Sequence, residues 1–581
     1  MSKREIRRKR RMFTRQFYHR NRMPLALGVV QTILLVGVNL LFSWLLQMLV
    51  DVTTGSDNAM ELGQLVWIGL AGVGLAGLDV LLLYHSIPRF ISKAIGQYKT
   101  YVFGRISEKG IAAFSGENTA YYISALTNDA NSIETDYLAG IFNLLDDSLS
   151  FVGAFALMLW YSPMLTGIAV AFALLPMGAA VFAGNRVAKA EKRVSEENEG
   201  YTSTLKDALT GFAVVKSFRA EKAICGLFRR RVKGVSDAKE RRRKASYVVQ
   251  GFAMVSSMVA QLGVFVVGAW MALSGWGITA GTLIAFVNLM GYVSNPIGSM
   301  PQLLASMRAS HGLIDKLAQA LDANVPQEGK AEKRTLSRGI ELKGLSYSYD
   351  GQKQTLHDLN YRFEAGKCYA VVGGSGCGKS TLLNLLMASD PGYQGSIRFD
   401  DEELRELSTA SVYDLASMIQ QNVFLFNATI RENITMFAPF PEEEIRRAIR
   451  LSGLEELIRQ RGEGYLCGEN GSGLSGGEKQ RIAIARSLLK KSDLLLADEA
   501  TAALDAKTAQ KISGAILGLE GLTRIVVTHS LDGSQLSRYD GILAMKDGTI
   551  VESGSFEQLM ERKGYFYSLY TVMQYIFLVD P

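Results

Sequence analysis

The sequence predicts a multidomain chain. An all-α domain of six transmembrane helices is followed by an α/β domain built around a phosphate-binding loop. Three observations carry this. Six apolar runs lie before Ile297, each near the ~20 residues that a bilayer crossing needs. One G-x-x-x-x-G-K-[ST] stretch lies in the second half, between a run that reads as a buried strand and one that reads as a helix. The 581 residues exceed one ordinary domain, and 48% hydrophobic against 20% charged residues excludes a disordered chain.

The chain starts basic. Residues 2–22 hold Lys3, Arg4, Arg7, Arg8, Lys9, Arg10, Arg11, Arg15, Arg20 and Arg22 against one acid, Glu5. A secretory signal would have a shorter charged region, a shorter apolar run and a small-residue cleavage site. Phe13, Phe17 and Tyr18 recur at near-helical spacing. This predicts a short interfacial helix on an anionic cytoplasmic leaflet, with membrane lipid as its partner.

The apolar runs are about Pro24–Val50, Leu65–Tyr84, Ile141–Tyr161, Leu165–Phe182, Tyr247–Ser274 and Ile278–Pro296. The connections near 51–64, 162–164 and 275–277 contain no Lys or Arg, whereas those near 85–140 and 183–246 are rich in them. The second includes Arg229 to Arg231 and Arg241 to Lys244. The positive-inside rule therefore places the N-terminus and both long connections in the cytoplasm, where they read as extensions of the membrane helices. The net charge of +7 does not signal nucleic acid, because the basic residues sit beside the apolar spans. Cys225, Cys368, Cys377 and Cys467 are scattered, with no metal-ligand spacing, and on this topology all face a reducing compartment.

Asp79 falls in the second span, and Asp146 and Asp147 in the third. Such acids either face a cavity, as candidate substrate contacts, or lie near an interface if the span boundaries shift. Gln31, Asn39, Gln250, Gln261 and Asn288 suit cavity lining and interhelical hydrogen bonding equally. The polar stretch Asp322–Arg338, with Pro326 and Gly329, reads as a linker. The domains are thus 1–321, a linker at 322–338, and 339–581.

In the second half, Leu342–Tyr349 alternates as a strand would. Tyr349 is either a ring that stacks on a nucleotide base or an ordinary core tyrosine. The loop itself is Gly373, Gly374, Ser375, Gly376, Cys377, Gly378, Lys379, Ser380 and Thr381. Its glycines let backbone N–H groups turn toward phosphate oxygens, and the following helix adds its positive end. Lys379 would reach the outer phosphates of ATP, and Ser380 would bind Mg²⁺. The apolar strand Asp493–Asp498 ends in two acids. Asp498 suits the Mg²⁺ shell, and Glu499 suits a base that polarises water against the γ-phosphate. Between them, Ser475-Gly-Gly477 opens a helix over Glu478–Leu489 and forms a second anion site.

The order of these motifs resembles that of the ATP-binding-cassette (ABC) transporters along the whole chain. Gly373–Ser380 looks like the Walker A loop, Gln421 like the Q-loop glutamine that senses Mg²⁺ and water, and Ser475 to Glu478 like the signature. Asp498 and Glu499 resemble Walker B and the catalytic glutamate, Asp505 the D-loop aspartate, and His529 the switch histidine. Gly468–Gly471 resembles the loop that meets the membrane domain. Ser124–Asp129 and Leu209–Glu221 resemble the coupling regions of exporter-type (type IV) membrane domains. Two departures stand out: Glu478 where glutamine is commoner, and Phe556 where many relatives have histidine.

The resemblance implies a half-transporter that pairs with a second copy or a related subunit. Two cassettes would sandwich two ATP molecules, with Lys379 and Ser380 of one facing Ser475 and Gly477 of the other. The expected activity is ATP-driven export of a small or amphipathic substrate from the inner (plasma) membrane, with the ATPase domain cytoplasmic. An importer, for example of a metal chelate, uses the same membrane fold and is the alternative.

Overall fold

The computed structural model describes residues 3–55, 60–111, 114, 119–322, 329–349, 351–501 and 504–579. It divides into two compact units, Met1–Ser107 with Asn118–Leu321, and Glu108–Glu117 with Asp322–Pro581.

The first unit is helical. Its main helices are α1 (Lys3–Tyr18), α2 (Arg22–Thr53), α3 (Leu62–His85), α4 (Ile87–Ser107), α5 (Ala139–Tyr161), α6 (Pro163–Thr210), α7 (Glu221–Leu273) and α8 (Ala280–Asp322). Among the described residues, most of the long basic connections are helical, in α4, α6 and α7. Four helical stretches are long and apolar enough to cross a membrane among the described residues: Arg22–Thr53, Leu62–Ser107, Tyr121–Tyr161 and Glu221–Leu273. The fourth expected span begins in the apolar stretch Pro163–Ala173, and its remaining side chains lie outside the described residues. The sixth lies in α8, whose Asn288, Asn295 and Pro296 dilute its apolar character. Ala154, Met158, Leu165, Ala260, Val264 and Phe286 form a shared core of α5, α6, α7 and α8. Small residues permit the close approaches: a Cβ on Gly28 would sit 2.6 Å from the Phe142 ring.

The chain enters α5 through two π-helical segments, Ala125–Asp129 and Ile133–Leu138. A helix forms over the basic segment, and its aromatic face is turned into the protein. Phe13 and Phe17 are buried, Phe13 edge-on to Tyr101 and Phe17 against Tyr98 and Tyr137. Burial against rings of the same unit removes their apolar area from water as completely as lipid would.

The second unit holds two sheets. Strands β1 (Gly339–Ser348), β2 (Gln354–Glu364), β4 (Gln394–Phe399) and β5 (Glu402–Glu403) pair antiparallel in the order β2-β1-β4-β5. The other sheet runs β10-β9-β3-β8-β7-β6, from β3 (Cys368–Gly373), β6 (Ala416–Ile419), β7 (Leu494–Asp498), β8 (Thr523–Val527), β9 (Gly541–Lys546) and β10 (Thr549–Gly554). All its pairs are parallel except β9–β10. Strands β3, β7 and β8 are almost wholly buried, which is why they read as continuous apolar runs rather than alternating ones. Register aligns Val371 with Val527 and Val527 with Asp498, so the carboxyl ends of the central strands share one edge. Ligands of open α/β sheets bind at that edge. Residues 108–117 group with this unit, where the Ile111 amide donates to the Tyr413 hydroxyl at 2.9 Å.

Pro326, in the expected linker, lies outside the described residues. Further on, Ala331 bridges to Leu407, Leu336 is buried, and Lys333 pairs with Asp400 at 3.0 Å. Burial works against the Asp400 carboxylate. The amides of Arg338, Gly339 and Ser337 and the Lys333 ammonium outweigh it and hold the carboxyl at about 2. A depressed carboxyl stabilises the fold above its unfolded pKa, near 4, and loses that effect as pH falls toward 2. Asp400→Asn is therefore expected to lower the melting temperature of the full chain at neutral pH. By thermal-shift assay the gap to wild type should narrow below about pH 4. A constant gap would remove the ionised carboxylate as the cause.

Candidate functional site

The loop after β3 turns into helix α9 (Lys379–Leu386) at the shared strand edge. Gly376 and Gly378 have φ of +78° and +97°, values that an L side chain rarely adopts. The Lys379 Nζ donates to the carbonyls of Gly373 at 2.9 Å and Gly374 at 2.8 Å, and its side chain is buried along the loop. Ser380 stands beside Asp498 at the start of the helix. Burial pushes the Asp498 carboxyl up, and the Ser380 hydroxyl opposes this. Asp498 Oδ1 is buried and has no hydrogen-bond partner among the described residues.

Glu499 follows β7 with φ of +50°, in the left-handed region. That conformation costs on the order of 1–3 kcal/mol in a non-glycine residue. Its side chain is held from two sides. Gln421 Nε2 donates to Oε2 at 2.8 Å, and His529 Nε2 lies 2.7 Å from Oε1. Its backbone is fixed too, the N–H by the Val527 carbonyl at 3.1 Å and the carbonyl by Gln480 Nε2 at 3.0 Å. Two residues far apart in sequence, Gln421 and His529, therefore meet at one carboxylate. Gln480 is a positioning residue that the sequence reading did not single out. Its only sequence signal was its place one turn into the signature helix.

That helix, α10 (Gly476–Lys490), opens on Ser475 as its N-cap. The Ser475 amide donates to Glu478 Oε2 at 2.7 Å, and the Glu478 amide to Ser475 Oγ at 3.3 Å. This capping box gives Glu478 a structural reason to stand where glutamine is commoner, since either side chain supplies the acceptor. Asp505 caps helix α11 (Ala506–Leu517) by accepting from the Thr508 amide at 3.0 Å. No hydrogen bond or ion pair among the described residues joins Ser475, Gly477 or Asp505 to the loop at Gly373–Thr381.

Tyr349 is mostly exposed, edge-on to Tyr347, with its hydroxyl 3.2 Å from Thr381 Oγ1. It is thus a surface ring at the loop rather than a core tyrosine. Phe556 packs edge-on against Phe566 and Tyr570, which explains an aromatic hydrocarbon at that position.

In the helical unit the three candidate acids separate. Asp79 is buried, and Gln31 Nε2 donates to it at 3.0 Å between α2 and α3. It serves helix packing there. Asp146 and Asp147 line a cleft of about 460 Å³ with Thr135, Asp136, Asn143, Ser299 and Gln302. Ser299 Oγ donates to Asp147 Oδ2 at 2.6 Å, and Asp146 Oδ1 is buried without a hydrogen-bond partner among the described residues. Among the described residues no Lys or Arg lines this cleft. Gln250 is exposed, and Asn39, Gln261 and Asn288 are half-buried.

Comparison with known proteins agrees with both units. A family profile described as "ABC transporter transmembrane region" matches residues 25–297, and one described as "ABC transporter" matches 356–502. The chain is 28% identical over 523 residues to the ATP-dependent lipid A-core flippase of Escherichia coli (strain K12), covering 87% of this chain and 88% of the relative. It is 28% identical over 479 residues to the uncharacterized ABC transporter ATP-binding protein YfiC of Bacillus subtilis (strain 168), covering 81% and 79%. The fold matches a bacterial Atm1-family ABC exporter solved with ATP bound. The TM-score is 0.80 and the identity 22%, over 95% of this chain and 98% of that one.

Proposed function

Because the chain belongs to the ABC transporter family, with a membrane region and an ATP-binding cassette in one polypeptide, we propose that it is a dimeric half-transporter driving export by ATP hydrolysis. The observation that carries this reading is the Glu499 carboxylate, held by Gln421 and His529 beside the phosphate loop. In the proposed reaction Glu499 takes a proton from the attacking water, and Gln421 and His529 orient it. Lys379 meets the growing phosphate charge. Export rather than import accords with the relatives, one named a flippase and one an exporter.

ATP binds at the cassette. Asp498 and Ser380 fit Mg²⁺, because two hard oxygen donors meet there and Asp498 Oδ1 is buried without a partner. The ion, when bound, would neutralise phosphate charge. Among the described residues Ser475 and Gly477 make no hydrogen bond to their own loop, which supports a composite site completed by a second subunit. That subunit is a second copy or a related chain. Tyr349 is available to stack on adenine. The basic cytoplasmic connections support a bacterial inner-membrane location with the N-terminus and cassette in the cytoplasm.

For the substrate, the cleft at Asp146 and Asp147 supports an amphipathic cation. Among the described residues it offers carboxylates, hydroxyls and amides but no cation to pair with a phosphorylated headgroup. In proteoliposomes of the purified chain, a lipophilic cation such as tetraphenylphosphonium is expected to stimulate ATPase activity and to accumulate on the face away from the cassette. Asp146→Asn/Asp147→Asn should reduce that stimulation several-fold while leaving basal hydrolysis intact. Unchanged stimulation would sink the cation reading, and accumulation on the cassette side would sink export.

A further inference from the structure

Helix α1 has two opposed faces. At 100° per residue, Arg10, Phe13 and Phe17 fall on one side, and Arg4, Arg8, Arg11 and Arg15 on the other. The first side is anchored within its own unit. Phe13 and Phe17 are buried against Tyr98, Tyr101 and Tyr137. Arg10 grips Asp315 of α8 in a fork, Nε to Oδ1 at 2.7 Å and Nη2 to Oδ2 at 2.5 Å, with Nη1 3.2 Å from His311 Nδ1. The opposite side is exposed. Arg8, Arg11, Met12, Thr14, Arg15 and Tyr18 border a groove of about 500 Å³. Arg8, Arg11 and Arg15 form no ion pair among the described residues.

These facts divide the work of the helix. Its aromatic side is consumed by the protein, so the helix does not reach the bilayer by inserting an apolar face. What it presents outward is fixed positive charge, set at successive turns and not neutralised by carboxylates. The position is close to the bilayer, because α1 ends only three residues before α2, the first membrane-crossing helix. Arg20, with φ of +50°, and the buried Asn21 make the turn between them. Asn21 Nδ2 donates to the Phe17 carbonyl at 3.2 Å and to the Phe90 carbonyl at 2.9 Å. A rigidly held turn keeps the arginines near headgroup level, where an anionic leaflet attracts them.

We propose that Arg8, Arg11 and Arg15 form a binding site for the phosphate of an anionic phospholipid headgroup. Guanidinium forks suit phosphate oxygens, and the groove is wide enough for one headgroup. The inference rests on the reading of α2 as membrane-crossing but not on the identity or direction of the cargo. The site is one of lipid association, remote in sequence from every residue assigned to ATP hydrolysis.

Native mass spectrometry of the full-length protein in detergent tests it, with titration of phosphatidylglycerol against phosphatidylcholine in 50 and 500 mM ammonium acetate. The wild type is expected to bind its first phosphatidylglycerol more tightly than phosphatidylcholine, with the difference shrinking at high salt. Arg8→Gln/Arg11→Gln/Arg15→Gln should weaken that first binding by roughly fivefold for each arginine that touches the headgroup. The Arg→Lys triple should keep part of it. Arg229→Gln/Arg230→Gln/Arg231→Gln removes equal charge from the cytoplasmic part of α7 and should leave the first binding unchanged. Basal ATPase activity should match wild type in every variant. If the glutamine triple loses it, Arg11→Gln alone is measured, with a fivefold drop expected and no drop overturning the site. Equal binding of the two lipids by wild type overturns the proposal. So does an undiminished constant in the glutamine triple, or an equal fall in the Arg229–Arg231 variant.

Discussion

Glu499→Gln is expected to lower steady-state ATP hydrolysis by roughly 10²–10⁴-fold, the contribution of a positioned general base, while ATP binding persists. The geometry explains why the variant should remain folded. Glutamine has the same shape, and its backbone would still be held by Val527 and Gln480. Its amide oxygen can accept from Gln421. Its NH₂ can donate to His529 Nε2 once that imidazole carries its proton on Nδ1. What disappears is the negative charge that draws a proton from water. Phosphate release measured beside retained radiolabelled ATP checks both halves. Ordinary turnover in the variant would overturn the base assignment, and loss of binding would show that Glu499 is structural.

Gly378→Ala is expected to weaken ATP binding by roughly 10–100-fold without unfolding the chain. Gly378 sits at φ +97°, and a Cβ there would lie 2.5 Å from Leu356 Cδ2 and 3.0 Å from the Thr355 carbonyl oxygen. The leucine can move, but the backbone carbonyl and the dihedral cannot relax without opening the loop. A strain on the order of 1–3 kcal/mol is therefore paid where phosphate must bind. Gly374→Ala is the matched control, since its φ is not in the left-handed region and no heavy atom lies within 4 Å of a Cβ built there. It should bind ATP nearly as wild type does. Isothermal titration with a non-hydrolysable ATP analogue reads both. Equal behaviour of the two alanines would remove backbone strain as the reason for glycine at 378.

The sequence alone determined the elements whose signal is local. A membrane helix is legible because ~20 apolar residues in a row have few other uses. The phosphate loop is legible because glycine spacing, lysine and hydroxyl must all come from one turn of backbone. Ser475 is likewise legible as a helix start, since its hydroxyl accepts from an amide three residues on. Tertiary structure decided what depends on partners distant in the chain. Gln421 and His529 converge on Glu499 because parallel strands end at one edge, and Gln480 reaches its carbonyl from helix α10. Asp79 and Asp146 look alike as acids in apolar runs, yet one meets Gln31 and the other lines a cleft. The amphipathic pattern of α1 showed that one face would be buried, but not whether lipid or protein would bury it. Apolar area leaves water equally well in either case, so only the neighbouring Tyr98, Tyr101 and Tyr137 could settle it.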